Sequence, residues 1–398
     1  MGSDLQTYNF NQNSNWFWWP LFPLYPYGTR NTIFKELVSE KVWCFEQLQG
    51  LYYVAVPIRM TVVKVPKGLM LFNPLPPTKA LIDSLKVLQQ KHGPICTIVL
   101  PTASGLEHKI PMPAMARAFP KATLWLCPGQ WSFPLALPLT WLGFPPNRTR
   151  TLFADGLPHQ DSCRWISLGP IDIGLGRFQE ISCYHKESQS LLVTDALIGI
   201  ESEPPEIFDL DPTPLLFHAR EKGDEPLKDS FSLRKKGWKR LVLFASYLKP
   251  DQLKIPSIKT IIKNCFKPGL RNWKSHFGIY PFEWEKNWEL STEEIIGVKS
   301  PLLQVAPVIE RLVFPRAKSE FLRWLDEIKA IKGMKRIIPA HYSAPINFND
   351  SDCKALRNKI NFSEWAPSEK SWSFLGKLDQ ILLNKNIVPK NPLKAFRD

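Results

Sequence analysis

Apolar residues recur along this chain in short β-branched runs, and three of those runs end on side chains able to bind metal or move protons. Ile95, Thr97, Ile98, Val99 and Leu100 predict a strand buried on both faces. Pro101 stops it, the turn-forming stretch Thr102–Gly105 follows, and Glu107 and His108 come directly after. Leu191-Leu-Val-Thr194 runs in the same manner into Asp195, and Lys335-Arg-Ile-Ile-Pro-Ala340 into His341. A buried strand that presents polar side chains at its C-terminal end is a common way to build a site in layered α/β folds.

The remaining pattern supplies the frame. Val42 to Pro66 alternates as strands, and Gly68–Phe72 adds another. Thr78 can cap a helix over Lys79–Lys91, whose apolar Ala80, Leu81, Leu85, Val87 and Leu88 keep helical spacing, and Gly93-Pro94 stops it. A short helix over Pro113–Phe119 and a strand over Ala122–Cys127 follow. Pro128–Pro146 is loop-rich and aromatic, a cover for the sheet rather than part of it. Strands resume over Arg164–Leu168, Ile171–Leu175 and Glu180–Lys186. After Pro-rich 203–214 come helices over Leu233–Leu248, Ile258–Phe266, Pro301–Val313 and Ala317–Ile331, and a last one near Ser368–Asn384. The division expected is an aromatic, proline-rich arm over 1–30, a main domain over 31–350 with a helical insertion at about 203–330, and a helical tail over 351–398.

Composition changes this picture in three places. Net charge is +14, and the segment Arg220 to Lys274 alone holds fifteen Lys and Arg against five Asp and Glu. Such a basic face attracts an anionic ligand or a membrane surface, while no specific nucleic-acid signature accompanies it. The seven cysteines are scattered singly, with no Cys-x-x-Cys, which excludes a zinc knuckle and fits a reducing compartment. No run of 18 apolar residues occurs, so the expected setting is cytoplasmic, at most peripheral to a membrane. Trp16–Tyr27 reads either as an extended arm packed over the domain or as an interfacial anchor, and its lack of a helical moment favours the arm.

The order of elements, with a polar loop after one strand, Asp195 after a later strand and His341 after the last, resembles the metallo-β-lactamase superfamily. That resemblance implies an α/β fold, a four-layer αββα sandwich with extended N-terminal arm and helical C-terminal additions. The superfamily's loop is His-x-His-x-Asp-His, which here falls on Ala103-Ser-Gly105-Leu-Glu107-His108. One metal of the family takes the first two loop histidines and a later turn histidine; Ala103, Gly105 and roughly Gly176 stand there and cannot coordinate. The other metal's ligands correspond to Glu107, His108, Asp195 and His341, all able to bind. At closer range the stretches WPLFPLYPYGTR, QGLYYVAVPIRMTVV, VLPTASGLEHKI, PGQWSFP, LLVTDALI and IIPAHYSAPI are similar to an uncharacterised family of cyanobacteria and plastids, which would place the chain in the cytoplasm or the stroma.

Two histidines and two carboxylates suit one Zn²⁺, and Fe²⁺ or Mn²⁺ would also accept them. His185, His218 and Glu180 are reserves, able to support ligands or carry a proton. Two functions stay open. The first is a non-catalytic relative with a degenerate metal site, acting as a scaffold or binding protein. The alternative is a mononuclear metal-dependent hydrolase of an ester, amide or phosphodiester.

Overall fold

Residues 24–389 are described by a computed structural model, apart from 104, 131–136, 175, 299 and 362–371. Most of the aromatic arm therefore lies outside the described residues. The first sheet holds β1 (Leu24–Tyr25), β2 (Ile33–Val38), β3 (Val42–Leu51), β4 (Val54–Val65), β5 (Gly68–Phe72), β6 (Ile95–Leu100), β7 (Thr123–Leu126) and β8 (Thr149–Thr151). Its first half is antiparallel, and β5 through β8 pair in parallel. The second sheet opens with β9 (Cys163–Asp172), β10 (Arg177–His185) and β11 (Ser190–Leu192). Next come β12 (Ile198–Ile200), the small pair β13 (Leu253–Lys254) and β14 (Glu283–Trp284), and β15 (Leu302–Gln304), which pairs with β12. The second sheet closes with β16 (Arg336–Ile338), parallel to β11, and β17 (Ile346–Asn347).

Helices cover both outer faces. On the first sheet lie α1 (Lys79–His92), α2 (Leu106–Lys109) and α3 (Met112–Ala118). The stretch between β12 and β16, expected as a helical insertion, carries α4 (Ile207–Leu210), α5 (Thr213–Ala219), α6 (Phe231–Tyr247), α7 (Ile258–Cys265) and α8 (Pro307–Leu312). On the second sheet lies α9 (Lys318–Lys329), followed by α10 (Asp350–Asn361) and α11 (Ser373–Asn384). Thr78 caps α1 by accepting from Leu81 N–H at 3.2 Å, and Gly93 ends it at φ 94°.

The period-two rhythm of the strands sorts side chains into layers. Leu69, Leu71, Ile98 and Leu124 face Leu81, Leu85 and Met115 of the first helix layer. Their neighbours Met70, Phe72 and Val99 face inward and meet Trp165, Ile181, Cys183, Leu192 and Ile338 of the second sheet. On that sheet's far side, Leu191 and Ile337 meet Phe321, Trp324, Leu325 and Ile328 of α9. The four layers are therefore helix, sheet, sheet, helix, as the resemblance implies. A further core joins the insertion to the β3–β4 hairpin, with Tyr53 stacked on Phe217 at 4.2 Å between ring centres.

Three expectations are corrected. Pro301–Val313 is not one helix: Leu302–Gln304 forms β15, and α8 begins at Pro307. Arg164–Leu168 and the start of Ile171–Leu175 are joined in one strand, β9, which carries Pro170 and ends at Asp172; β9 is the edge of its sheet, where a missing N–H is tolerated. Of the expected cover, Leu139, Leu142 and Phe144 pack into the first helix layer because their apolar surface finds that core. Gln130 alone reaches the loop after β6 among the described residues of that stretch, donating to the Thr102 carbonyl at 2.8 Å. No helix among the described residues is long and apolar enough to cross a membrane.

Candidate metal centre

Where the two sheets share an edge, the loop after β6 is sewn to β10. Ala103 N–H donates to the Gln179 carbonyl at 3.0 Å, Ile181 N–H donates to the Pro101 carbonyl at 2.8 Å, and Thr102 bridges Glu180. α2 starts from this seam, so Glu107 and His108 are carried on backbone that both sheets hold. Lys109, nearly buried, donates from Nζ to the Ala103 carbonyl at 2.7 Å and closes the loop.

His108 is fully buried. Its Nδ1 lies 3.1 Å from the Pro74 carbonyl, which can only accept, so the proton sits on Nδ1 and Nε2 is left as a bare lone pair. Nε2 meets no hydrogen-bond partner among the described residues. Burial, partly offset by the charge of Glu107, holds this imidazole below the usual histidine range and hence neutral.

His341 stands in the opposite protonation state. It follows β16 in a backbone bridge with Ile58, and its Nδ1 lies 3.2 Å from the Pro57 carbonyl. Its Nε2 lies 3.0 Å from Oδ1 of Asp195 and 3.9 Å from Oε1 of Glu107. Every partner is an acceptor, so both ring nitrogens carry protons. Burial opposes that charge, but the hydrogen bond and charge of Asp195, with Glu107 behind them, raise its pKa above the ordinary value. Asp195 answers in kind: burial works against its ionisation, and the hydrogen bond and charge of His341, then the charge of His108, hold it below the usual carboxylate range.

The ligand atoms of Glu107, His108 and His341 lie within 4.8 Å of one another, and the His108 and His341 ring centres are 6.2 Å apart. A tetrahedral zinc with bonds of about 2.1 Å sets its ligands about 3.4 Å apart, so the three need close by little more than an ångström. Asp195 joins them through His341. The donor types and the orphaned Nε2 fit a divalent metal. Among the described residues this is the one group of three or more such side chains placed to share an ion.

Of the reserves, Glu180 neighbours Asp195 but is not in the group of ligand atoms. Its buried carboxylate accepts from the backbone N–H groups of Thr194, Asp195 and Ala196 at 2.7, 2.8 and 2.8 Å, and so fixes the loop that presents Asp195. Burial and the nearby Asp195 push this carboxyl up to about 7 against the pull of those donors. His185 is elsewhere: it ends β10 five residues beyond Glu180, about 17 Å along the strand, bound to Ser188. His218 sits in the insertion core, its Nε2 3.1 Å from the Tyr53 carbonyl.

Arg59 and Glu46 escape a reading of strand ends. Arg59, fully buried in β4, donates from Nη1 to the Pro339 carbonyl and from Nη2 to the Tyr342 carbonyl, each at 2.5 Å, and so grips the turn on both sides of His341. Glu46 on the neighbouring strand holds the guanidinium through Nε at 2.9 Å, and Lys35 lies 3.2 Å from the same carboxylate. The signal was present in the sequence: a charged residue inside each of two apolar strand runs demands a partner.

Comparisons with known proteins follow this geometry. No curated protein matches the chain in sequence. Among solved structures it is similar to a metallo-β-lactamase from Pontibacter korlensis, with 17% identity over 41% of this chain and 71% of that one and a TM-score of 0.30. The metal-soaked Flv1 flavodiiron core from Synechocystis sp. PCC6803 matches at 10% identity over 84% of this chain, with a TM-score of 0.38, and the match spans 61% of that protein, under two thirds of its length. The DIM-1 metallo-β-lactamase matches at 11% identity over 44% of this chain and 74% of that one, with a TM-score of 0.31. The family model described as a domain of unknown function, DUF4336, matches residues 39–359, and the chain belongs to that family.

Proposed function

We propose that this protein holds a single divalent metal ion, zinc before iron or manganese, through Glu107, His108, Asp195 and His341, and acts as a metal-bearing scaffold or binding protein. The observation that carries this is the bare, buried Nε2 of His108 beside two further donors. A buried nitrogen left unmet costs about 1–3 kcal/mol, and a cation would meet it. When bound, zinc supplies Lewis acidity and a water with a pKa near 7. The chain's own contribution is orientation. Pro74 fixes the His108 tautomer, Glu180 holds the Asp195 loop, and Arg59 holds the His341 turn. His341 must give up the Nε2 proton it shares with Asp195 before that nitrogen can bind. The site is degenerate in this reading, because Ala103, Gly105 and Gly176 offer no donor for a second ion. Four protein donors around one ion also leave little room for a substrate.

The alternative, a mononuclear hydrolase of an ester, amide or phosphodiester, is favoured by one feature: the Glu107 and Asp195 side chains are 27% and 24% exposed, so solvent reaches the centre. The setting that accompanies either reading is cyanobacterial or plastid, in cytoplasm or stroma. Metal analysis of the purified protein should give close to one equivalent per chain, with His108→Ala and His341→Ala each losing most of it. A protein that retains no metal and takes up none on titration refutes the proposal. Turnover of generic esters or phosphodiesters that rises with metal content would replace the scaffold by the hydrolase.

A further inference from the structure

The segment after α5 buries a cation, one of whose guanidinium nitrogens has no partner among the described residues. Arg220, just after α5, is 3% exposed. Its guanidinium lies over the rings of Phe217 and Tyr280, 4.6 and 4.5 Å from their centres. Nε donates to the Phe217 carbonyl at 3.4 Å and Nη1 to the Gly223 carbonyl at 3.2 Å, while Nη2 has no acceptor among the described residues. The adjacent acid, Glu221, is taken by others: Arg240 donates to both of its oxygens, at 3.0 and 2.8 Å, and Lys236 pairs with it. Burial lowers the Arg220 pKa, against the opposing pull of Tyr280, Tyr52, Tyr53 and Glu225.

Buried charged groups normally have their donors met, and an unmet donor on a buried guanidinium is a cost that an anion would relieve. Arg220 also lines a cavity of about 180 Å³, together with Lys228, Lys236, Glu225 and the apolar Leu216 and Leu233. Three cations and one acid border it: Lys236 is already paired with Glu221, and Glu225 accepts from Glu221 N–H at 2.8 Å, which leaves Arg220 and the exposed Lys228 facing the cavity without an ion pair among the described residues. The cavity is smaller than the roughly 300 Å³ of a pocket for a drug-sized molecule. It suits a small oxyanion, or the charged end of a longer ligand.

We propose that this cavity is a phosphate-binding site, in which Arg220 is the buried anchor and Lys228 and Lys236 are the rim. Guanidinium forks and lysine ammonium groups are the usual partners of phosphate oxygens. The apolar wall would accept the carbon skeleton of a phosphomonoester, so a free phosphate and the headgroup of an acidic lipid share the required chemistry. This assigns the basic stretch 220–274 a definite locus instead of a diffuse attraction.

The test uses the full-length protein, titrated calorimetrically with inorganic phosphate at constant ionic strength and floated with vesicles of phosphatidylcholine with or without phosphatidic acid. Saturable phosphate binding is expected, lost in Arg220→Gln and weakened at least tenfold in Lys228→Glu. Because Arg220 also props backbone carbonyls, Lys228→Glu, on an exposed rim residue, keeps the test open should Arg220→Gln fail to fold. Phosphate binding without vesicle capture assigns the site to a free ligand. Vesicle capture that needs phosphatidic acid and is reversed by phosphate assigns it to a headgroup. No saturable binding of either probe, or binding unchanged in Lys228→Glu, overturns the proposal.

Discussion

Replacing Arg59 by Met removes the clamp on His341 while keeping the bulk of the side chain in β4. Three losses follow. Glu46 keeps its charge in a buried position with only Lys35, at 3.2 Å, for company. The Pro339 and Tyr342 carbonyls each lose a donor, and the turn bearing His341 loses its grip on the first sheet. Breaking a buried pair from one side costs about 3–5 kcal/mol. Lys35 offsets part of this, which points to the lower end, still a large share of the roughly 5–15 kcal/mol that holds a domain folded. A urea melt reads that loss directly.

The double variant Arg59→Met with Glu46→Leu separates stability from site geometry. Apolar replacement of both members of a buried pair is often neutral, so most of the stability should return. Nothing restores the donors to Pro339 and Tyr342, so metal affinity should stay about 10–100-fold below the parent, the usual effect of losing support for a ligand. Acid gives an independent check. Burial resists the Glu46 charge, yet Arg59 and Lys35 hold its pKa below the ordinary value. The unfolded carboxyl therefore takes its proton first, and the pair's contribution is lost as pH falls below about 4.3 and through the folded value. The double variant should lack that part of the acid transition. An unchanged urea midpoint in Arg59→Met, or metal affinity that returns with stability in the double variant, would refute the clamp.

Other perturbations probe the centre and the core. Glu180→Gln puts an NH₂ where a carboxylate oxygen accepts backbone N–H, and should cost about 1–3 kcal/mol and weaken metal binding; a melt and a metal titration identical to the parent would contradict its holding of the Asp195 loop. Gly105→Ala would set a Cβ 2.9 Å from Thr102 Oγ1 and 3.2 Å from Glu107 Oε1, so metal affinity should drop with little change in fold by circular dichroism; full retention would show that Glu107 is free to shift. Burial drives the His218 and His185 pKa values down to about 3 and about 4, so the unfolded chain takes up protons first as pH falls below about 6.5. Each should then cost stability at about 1.4 kcal/mol per pH unit until its folded value is reached, and His218→Asn should flatten the slope of urea midpoint against pH between 6 and 4.

The strand ends were legible because each joins two unmistakable signals, a β-branched run and an abrupt polar residue. Glu107, His108, Asp195 and His341 could be named from that pattern, and the structure gathers them at one edge. Helix α1 was legible for the same local reason, since Thr78 and Gly93 mark its ends. What stayed hidden depends on partners distant in sequence. β15 is three residues long, too short for a period, and exists because Ile198–Ile200 lies opposite it. Pro57 and Pro74 look like breakers in the sequence, yet each places a carbonyl against a histidine Nδ1 and so sets which nitrogen is left for a metal. Arg59 reaches carbonyls some 280 residues away, and no window of sequence contains both ends of that contact.

The residues of the loop after β6 form one coherent set. A side chain at position 105 would crowd the Glu107 carboxylate at 3.2 Å, so glycine there and the longer acid two residues on require each other. Ala103 is fully buried, and its carbonyl is taken by Lys109 Nζ, so that corner of the loop is closed by an ammonium group. The space beside Ala103 and Gly105 is occupied, and an unmet nitrogen, His108 Nε2, lies in the group whose ligand atoms, with those of Glu107 and His341, fall within 4.8 Å of one another. Packing of that kind is compatible with the proposed centre for one ion. An unmet buried nitrogen is a cost borne in this chain also by His185 Nε2 and His218 Nδ1, so the proposed metal centre rests on the carboxylate and the second imidazole placed beside His108 Nε2 rather than on the bare nitrogen alone.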